Sequence, residues 1–438
     1  MRALILSCGG SPEPLIFCIE DYEPDFTYFL CSDDSVDIAQ DIVKHCNLKD
    51  DQFKLKLVKN HECLEDSFAK SREVIQELQK EYDDVHVDFT GGTKPMVSGL
   101  VLAAIGEKCT YSYVGSKDFE GRDKDGLGIV KDGFESIKDQ RDPYDVFAVV
   151  EFNRGMDLFN KYQFQAAKTN FIDASRKLES ENLRQLSKVF ISLVNLYDKW
   201  DKFNNLNDEK KTLNSVLSEI LKNIKSSSNI IGYMEDNFPE FIPQIENNIE
   251  FLKLKISKKG VAKSKDVTYY LPDLLNNAHR RIDEGKYDDA VARLYRSIEL
   301  IAQVSLIKED IIEEHILNSH KEFKINKMDL DSRLPSPVPS KVLDIHEYNT
   351  SAKTMKVGLK NSFVILEALG SQYAKDYLND ENIKNNLSSR NRSILAHGLQ
   401  PVDEKMAKDL YGQVLGYAKK AVPDIVKYMD MADFPKFE

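Results

Sequence analysis

The chain has 438 residues and a formal net charge of −12, with 42% hydrophobic and 30% charged residues. This length predicts two or three packed domains, and the composition is that of an ordinary globular protein. The acidic excess argues against a protein that coats nucleic acid nonspecifically, because such binding needs a broad excess of Lys and Arg. An enzyme that holds a short RNA in a small basic pocket remains compatible with this charge.

Neither a membrane segment nor a signal peptide is predicted. No apolar run reaches the roughly 18 residues that a membrane helix needs, and the opening MRALILSCGG is an apolar strand followed by a glycine turn. The 6 cysteines lie between Cys8 and Cys109 without a CxxC pair, so we expect free, buried thiols. Together these features predict a cytoplasmic protein.

Residues 1–115 alternate between short apolar runs and helical periods, which predicts an α/β Rossmann-like domain with a mostly parallel sheet. The predicted strands are Ala3–Leu6, Thr27–Cys31, Phe53–Val58, Val85–Phe89 and Tyr111–Val114. The predicted helices are Val36–Cys46, Glu65–Glu81 and Met96–Ile105. A loop or hairpin over 116–143 completes this domain, which spans 1–143. In such sheets ligands bind at the carboxyl ends of the strands.

From Asp145 onward the pattern is helical. It predicts an all-α connecting domain over 144–256, a basic linker over 257–268 and a second all-α domain over 269–438. The expected helical stretches are Gly155–Leu178 as a hairpin, Leu274–Gly285, Tyr287–Leu306, Asn361–Leu369, Asn382–His397 and Asp403–Met431. Three prolines make Ser332–Lys341 a loop. A helical-repeat solenoid is the alternative, but the two repeat-like turns lie far apart and are not in tandem.

Two glycine-rich turns follow predicted strands of the first domain. One is Thr90-Gly91-Gly92-Thr93-Lys94 before an apolar helix, and the other is Gly9-Gly10-Ser11. Glycines let the backbone approach a ligand, and the helix N-terminus with Lys94 supplies positive charge, so the pair predicts an anion site. Neither turn matches GxxxxGK[ST] or GxGxxG. The alternative is two tight turns with a solvated lysine.

A second group of functional residues lies near the end of a predicted helix, where Arg390, Asn391 and Arg392 precede His397. A guanidinium next to an imidazole suits RNA cleavage without metal, because arginine stabilises charge on the phosphate while histidine transfers the proton. A solvated arginine cluster beside a helix-terminal histidine is the alternative. His86 and Asp88 alternate on one strand face as metal ligands do, but no third ligand is evident, so no metal site is predicted.

These residues resemble two known families. Arg390 through His397 is similar to the R-x4-6-H signature of HEPN ribonuclease domains, and the helix around Ala290–Arg296 resembles the first HEPN helices. Both glycine-rich turns look like the ligand loops of CARF domains. A sensor first and HEPN last resembles the CRISPR-associated CARF–HEPN ancillary ribonucleases of type III systems. HEPN motifs place Asn, Asp or His directly after the arginine, which Arg390-Asn391 satisfies and Arg392-Ser393 does not.

The resemblance implies a homodimer with a composite pocket for a cyclic oligoadenylate and a metal-independent endoribonuclease site. The ligand contacts would come from Gly9, Gly10, Ser11, Thr90, Gly91, Gly92, Thr93, Lys94 and Met96. The nuclease residues would be Arg390, Asn391, Arg392 and His397. Single-stranded RNA would be cut to 2′,3′-cyclic phosphate ends without a cofactor, and the choice between the two arginines stays open. Two further hypotheses are a nucleotide-sensing adaptor without nuclease activity and a sensor domain that also degrades its ligand.

Overall fold

The computed structural model describes residues 1–118, 120–122, 130–204, 212–255, 265–311, 324–392 and 399–438. The chain forms two compact units. The first holds Met1–Asn153 and Asp173–Arg184, and the second holds Arg154–Ile172 and Gln185–Glu438. Within the described ranges no helix is long and apolar enough to cross a membrane. The domain boundaries at residues 144, 256 and 269 stay predictions.

The first unit is built on a sheet to which six strands contribute among the described residues. The strands are β1 (Arg2–Ser7), β2 (Phe26–Cys31), β3 (Phe53–Leu57), β4 (Asp84–Asp88), β5 (Cys109–Ser116) and β6 (Glu135–Gln140). Their order is β3-β2-β1-β4-β5-β6, with β6 antiparallel and the other pairs parallel. This confirms the predicted Rossmann-like fold with a mostly parallel sheet.

Four longer helices accompany these strands: α1 (Glu13–Tyr22), α2 (Val36–His45), α3 (Leu64–Leu78) and α4 (Lys94–Ala104). Helix α1 was not predicted from the sequence; Pro12 is its N-cap and Pro14 lies in its first turn. Proline is compatible with the first turn of a helix, where no N–H partner is lost. The segment 116–143 was expected to be a loop or hairpin, and its second half is the edge strand β6.

Residues of β1 alternate between two cores, which is why this central strand is almost continuously apolar. Ala3 and Ile5 pack in the core that contains Leu100, and Leu4 and Leu6 pack in the core that contains Leu15. All four β1 side chains are fully buried. The sheet therefore carries helices on both faces, and its ligand-accessible parts are the ends of the strands.

The rest of the chain is mostly helical. After α5 (Pro143–Val146) come α6 (Val149–Asn160), α7 (Phe164–Lys177), α8 (Glu181–Asp201), α9 (Leu213–Ser226), α10 (Ser228–Asn237), α11 (Phe241–Lys255), α12 (Lys265–Asp283) and α13 (Tyr287–Lys308). Then follow β7 (Lys324–Asn326), α14 (Lys327–Arg333), α15 (Ser340–Leu343), β8 (Thr354–Lys356), α16 (Leu359–Ala368), α17 (Gln372–Asn379), α18 (Glu381–Arg392), α19 (Glu404–Ala421) and α20 (Ile425–Ala432). The all-α prediction is confirmed, with a small antiparallel β7–β8 pair added.

One predicted helix is two helices in the structure. The stretch Asp403–Met431 was treated as one helical run, but α19 ends at Ala421 and α20 begins at Ile425. Pro423 lies between them, and proline cannot continue a helix because it lacks the N–H and clashes with the preceding turn.

Buried ion pairs join helices of the second unit. The Lys255 ammonium, at the end of α11, contacts the Asp273 carboxylate of α12, and the side chains are 3% and 0% exposed. The Trp200 indole N–H donates to the same carboxylate at 3.0 Å. In α8, Asp201 accepts from Arg280 at 2.8 Å and from Arg281 at 2.6 Å. These contacts satisfy charges that would be strongly unfavourable if left alone in the interior.

We therefore expect Lys255→Met to lower the free energy of unfolding by about 3 to 5 kcal/mol, because Asp273 would keep a buried charge without its cation. Lys253→Met is the matched control, since Lys253 lies on the same helix and pairs with Glu250 in solvent. Thermal and denaturant unfolding would measure both variants. Equal, small effects would contradict a stabilising role for the buried pair.

Candidate ligand and nuclease sites

The two glycine-rich turns lie at one edge of the sheet, side by side. β1 and β4 are adjacent parallel strands, with Leu6 opposite Asp88 at their ends. The sheet order places β2 and β3 on one side of β1, and β5 and β6 beyond β4. The β1–β4 pair is therefore the point where strand order reverses, and the crevice at the carboxyl ends there is where open α/β sheets bind ligands.

The turns are in direct backbone contact. A Cβ atom on Gly9 would lie 2.6 Å from the Gly92 nitrogen, and one on Gly91 would lie 2.5 Å from the Ser7 carbonyl oxygen. The Ser7 hydroxyl also donates to the Gly91 carbonyl. Gly92 has a φ of 98°, in the region that favours glycine. Glycine is needed at these positions because the turns pack too closely for a side chain. We call this pair of turns, residues 9–11 and 90–94, the cradle.

A buried carboxylate fixes the start of the second turn. Asp88, at the end of β4, accepts the Thr90 N–H at 3.0 Å and the Ser112 hydroxyl at 2.7 Å. The Thr90 hydroxyl oxygen in turn accepts the Val114 N–H at 2.7 Å. Burial raises the pKa of Asp88, and the hydrogen bonds from Thr90 and Ser112 act in the opposite direction. Thr90 is thereby held to β5 as well as to β4.

His86 extends this buried series of hydrogen bonds. Its Nε2 contacts the Ser112 hydroxyl at 2.8 Å and its Nδ1 contacts the Thr110 hydroxyl at 2.7 Å. Ser112 gives its single proton to Asp88, so His86 Nε2 must donate to Ser112. Burial lowers the pKa of His86, which favours the neutral ring. With both ring nitrogens engaged, His86 and Asp88 form a hydrogen-bonded chain rather than a metal-ligand pair.

The second turn leads directly into α4. Thr93 is its N-cap, accepting the Met96 N–H at 3.4 Å, while its hydroxyl donates to the His61 carbonyl at 2.6 Å. Lys94 is the first helical residue and is exposed. Met96 is 1% exposed and packs in the sheet core. The exposed ammonium and the helix N-terminus supply positive charge beside the cradle, and the Met96 Cβ lies 3.5 Å from where a Cβ on Gly92 would be.

The structure thus brings together Gly9, Gly10, Ser11 and Thr90 through Lys94. Sequence reasoning missed Ser7 and Ser112, and it considered Asp88 only as a possible metal ligand. Polar residues inside otherwise apolar strands were the available signal, because a buried polar group needs a partner. His61 contributes a backbone carbonyl, which no side-chain pattern reveals.

The predicted nuclease residue His397 lies outside the described residues, in 393–398. The side chains of Arg390, Asn391 and Arg392 are likewise outside the described part, while their backbone continues α18 to Arg392. The helical prediction Asn382–His397 is therefore confirmed as far as Arg392.

The residues that follow this motif in the sequence are bound to the start of α13. The Val402 N–H donates to the Asp288 carboxylate at 3.3 Å. An open hollow of about 470 Å³ lies here, lined by Gly285, Lys286, Tyr287, Asp288, Asp289, Pro401 and Val402. Further along α13, Glu299 pairs with Arg296 at 3.2 Å. Val402, which follows the motif, is thus held by α13 of the same unit.

Comparison with known protein families gives a match for the C-terminal part of the chain. Residues 258–421 match the model of the Csm6 HEPN domain, a range that includes Arg390 through His397. The match agrees with the HEPN resemblance of Arg390 through His397, and it covers the C-terminal part of the chain alone.

Solved structures of similar proteins were also found. Csm6 of Enterococcus italicus, bound to cyclic hexa-2′-fluoro-hexa-dAMP, is 12% identical with a TM-score of 0.46, over 99% of this chain and 98% of that chain. Can2 of Sulfobacillus thermosulfidooxidans, in complex with cyclic tetra-adenylate, is 13% identical with a TM-score of 0.24, over 74% and 72% of the two chains. No curated protein matches the chain significantly.

We expect Asp88→Ala to loosen the second turn, because the Thr90 N–H and the Ser112 hydroxyl would lose their buried acceptor. A lost buried partner costs about 1 to 3 kcal/mol, so amide hydrogen exchange across Thr90–Lys94 should quicken by about tenfold or more. Asp84→Ala is the matched control, because that carboxylate of the same strand pairs with Tyr22 instead. Unchanged exchange in Asp88→Ala would refute the anchoring role.

Proposed function

We propose that this protein is an endoribonuclease that a cyclic oligoadenylate activates in type III CRISPR defence. The observation that carries the proposal is the match of residues 258–421 to the Csm6 HEPN domain, with the Arg390–His397 motif inside it. The cradle supports the sensing half, because it offers backbone N–H groups, a helix N-terminus and Lys94 to a phosphate.

The proposed chemistry uses the substrate's own 2′-hydroxyl. This oxygen loses its proton and attacks the adjacent phosphorus, the P–O5′ bond breaks, and the 5′-oxygen takes up a proton. The products are a 2′,3′-cyclic phosphate and a 5′-hydroxyl, with no water consumed. His397 would carry a proton, and Arg390 or Arg392 would stabilise the charge that develops on the phosphate oxygens. Neither a metal nor a cofactor enters this scheme.

Two copies of the chain would act together. A composite ligand pocket and paired Arg–His motifs would let ligand binding shift the dimer toward the geometry that cleaves, a change of population between two states. The second candidate function is an adaptor that senses the nucleotide and binds a partner without cutting RNA. The two candidates differ in what His397 does.

The first test is cleavage of a fluorescent single-stranded RNA in EDTA, with cyclic tri-, tetra- and hexa-adenylate supplied separately. Cleavage with one ring size should fall by about 100-fold or more in His397→Ala, since proton transfer by a positioned side chain contributes 10²–10⁴-fold. Arg390→Ala and Arg392→Ala, assayed in parallel, would distinguish the two arginines. Ligand binding without cleavage by any ring would favour the adaptor.

Ligand sensing has a separate test at the closest contact of the cradle. Gly9→Ala should weaken cyclic oligoadenylate binding by about tenfold or more, because its methyl group would push against the Gly92 nitrogen and separate the turns. Gly232→Ala is the control, since nothing lies within 4 Å of its added Cβ. Calorimetric titration would measure both. Normal affinity in a folded Gly9→Ala protein would place the ligand elsewhere.

A further inference from the structure

The last residues of the sequence lie in an extended conformation against helices of the second unit. Helix α20 ends at Ala432, and residues 434–438, Phe-Pro-Lys-Phe-Glu, have no regular secondary structure. Their partners come from α6, α7, α8, α11 and α12. We call the surface that holds them the tail groove, defined by Asn160, Phe190, Trp200, Phe241, Gln244 and Asn248.

Side-chain amides of the tail groove bind the backbone of this segment and of Asp433, the residue directly before it. Asn160 donates to the Phe437 carbonyl at 2.9 Å and accepts the Phe437 N–H at 2.8 Å. Asn248 donates to the Asp433 carbonyl at 2.6 Å, and Gln244 donates to the same oxygen at 2.8 Å. Such contacts bind a peptide backbone whatever side chains it carries, as in peptide-binding proteins.

The amide of Asn248 is itself held in place. Its side chain is fully buried, and its oxygen accepts the Tyr197 hydroxyl at 2.8 Å. That bond fixes which end of the amide faces the segment, so the donor is oriented by the helices alone. The groove therefore carries a preset donor for a peptide carbonyl.

Two aromatic side chains anchor the segment. Phe437 is 8% exposed, with ring centroids 4.5 Å from Phe241 and 4.8 Å from Phe190. Phe434 is 3% exposed, with its ring 5.2 Å from that of Trp200. The Arg280 guanidinium lies 3.9 Å from the Phe434 ring centroid, a cation–π contact. Both phenylalanines fill pockets whose walls belong to other helices.

Burial along the segment follows the pattern of a bound peptide. Phe434, Pro435 and Phe437 are buried, whereas Lys436 and Glu438 are exposed. The family match ends at residue 421, so the segment lies beyond the part shared with the Csm6 HEPN model. The surrounding helices also have buried contacts of their own, such as Leu217 and Ile245. The groove walls thus have packing that does not come from the segment.

We propose that the tail groove is a peptide-binding site for an extended Phe-Pro-x-Phe sequence, occupied in this structure by residues 434–438 of the same chain. The side-chain amides bind the ligand backbone, and two aromatic pockets select phenylalanine at its first and fourth positions. Neither the nuclease motif nor the cradle takes part. A test of this peptide-binding site is therefore independent of a test of the proposed function.

The test measures whether a protein shortened at its C-terminus binds the missing residues when they are added as a synthetic peptide. A chain of residues 1–432 should remain folded by circular dichroism and bind a fluorescent, acetylated and amidated DFPKFE peptide, which carries the Asp433 carbonyl, saturably in anisotropy titrations. The peptide with Phe437→Ala should bind about 100-fold more weakly or worse, from the usual effect of truncating a buried phenylalanine. The Lys436→Ala peptide is the matched control and should bind within about twofold of the original.

The full-length chain gives an independent measurement. Asn160→Ala removes two hydrogen bonds to Phe437 and should speed amide exchange in residues 434–438 by about tenfold, while exchange in α8 and α11 stays slow. A shortened chain that fails to fold, or that folds without binding the peptide, would overturn the proposal. So would Asn160→Ala if it released the helices together with the segment, because the segment would then be part of their core.

Discussion

The parallel pairing of β1 with β4 is the constraint on which the cradle of the first unit depends. It places two turns that are far apart in sequence at one edge of the sheet, with Leu6 opposite Asp88. The turns then approach so closely that Gly9 and Gly91 have no room for a side chain. Close backbone packing also leaves N–H groups and a helix N-terminus together at this edge, the arrangement that suits a phosphate.

The same pairing explains why polar residues are tolerated inside the sheet. His86, Asp88 and Ser112 would each be unfavourable alone in an apolar core, but their hydrogen bonds form one chain that ends at Thr90. The second unit uses buried charge in a different way. Asp201 and Asp273 each pair with cations of another helix. These pairs specify which helices contact each other, which apolar packing alone would not do.

Sequence patterns predicted most of the fold and the location of the cradle, and the reasons are local. Strand periodicity, a glycine pair and a helix start are encoded within about ten residues of one another, as in Val85–Lys94. Helix α1 and the break at Pro423 were not predicted, and they show that proline starts one helix and ends another, depending on its position in the turn. The Asp88–Ser112 bond, by contrast, joins residues of different strands. Contacts of that kind depend on strand register, which no single segment contains.

Charge limits how the proposed ligands could be recognised. A cyclic oligoadenylate and an RNA are both polyanions, and a chain with a net charge of −12 repels them at long range. Under the proposed function, attraction would therefore come from short distances, where the N–H dipoles of the cradle and Lys94 act directly on the ligand. Few counterions would be released by so small a set of cations, so binding should depend weakly on salt compared with that of a basic nucleic-acid-binding protein. Under the proposed function, such a protein would bind a ligand whose shape fits its sites in preference to bulk RNA.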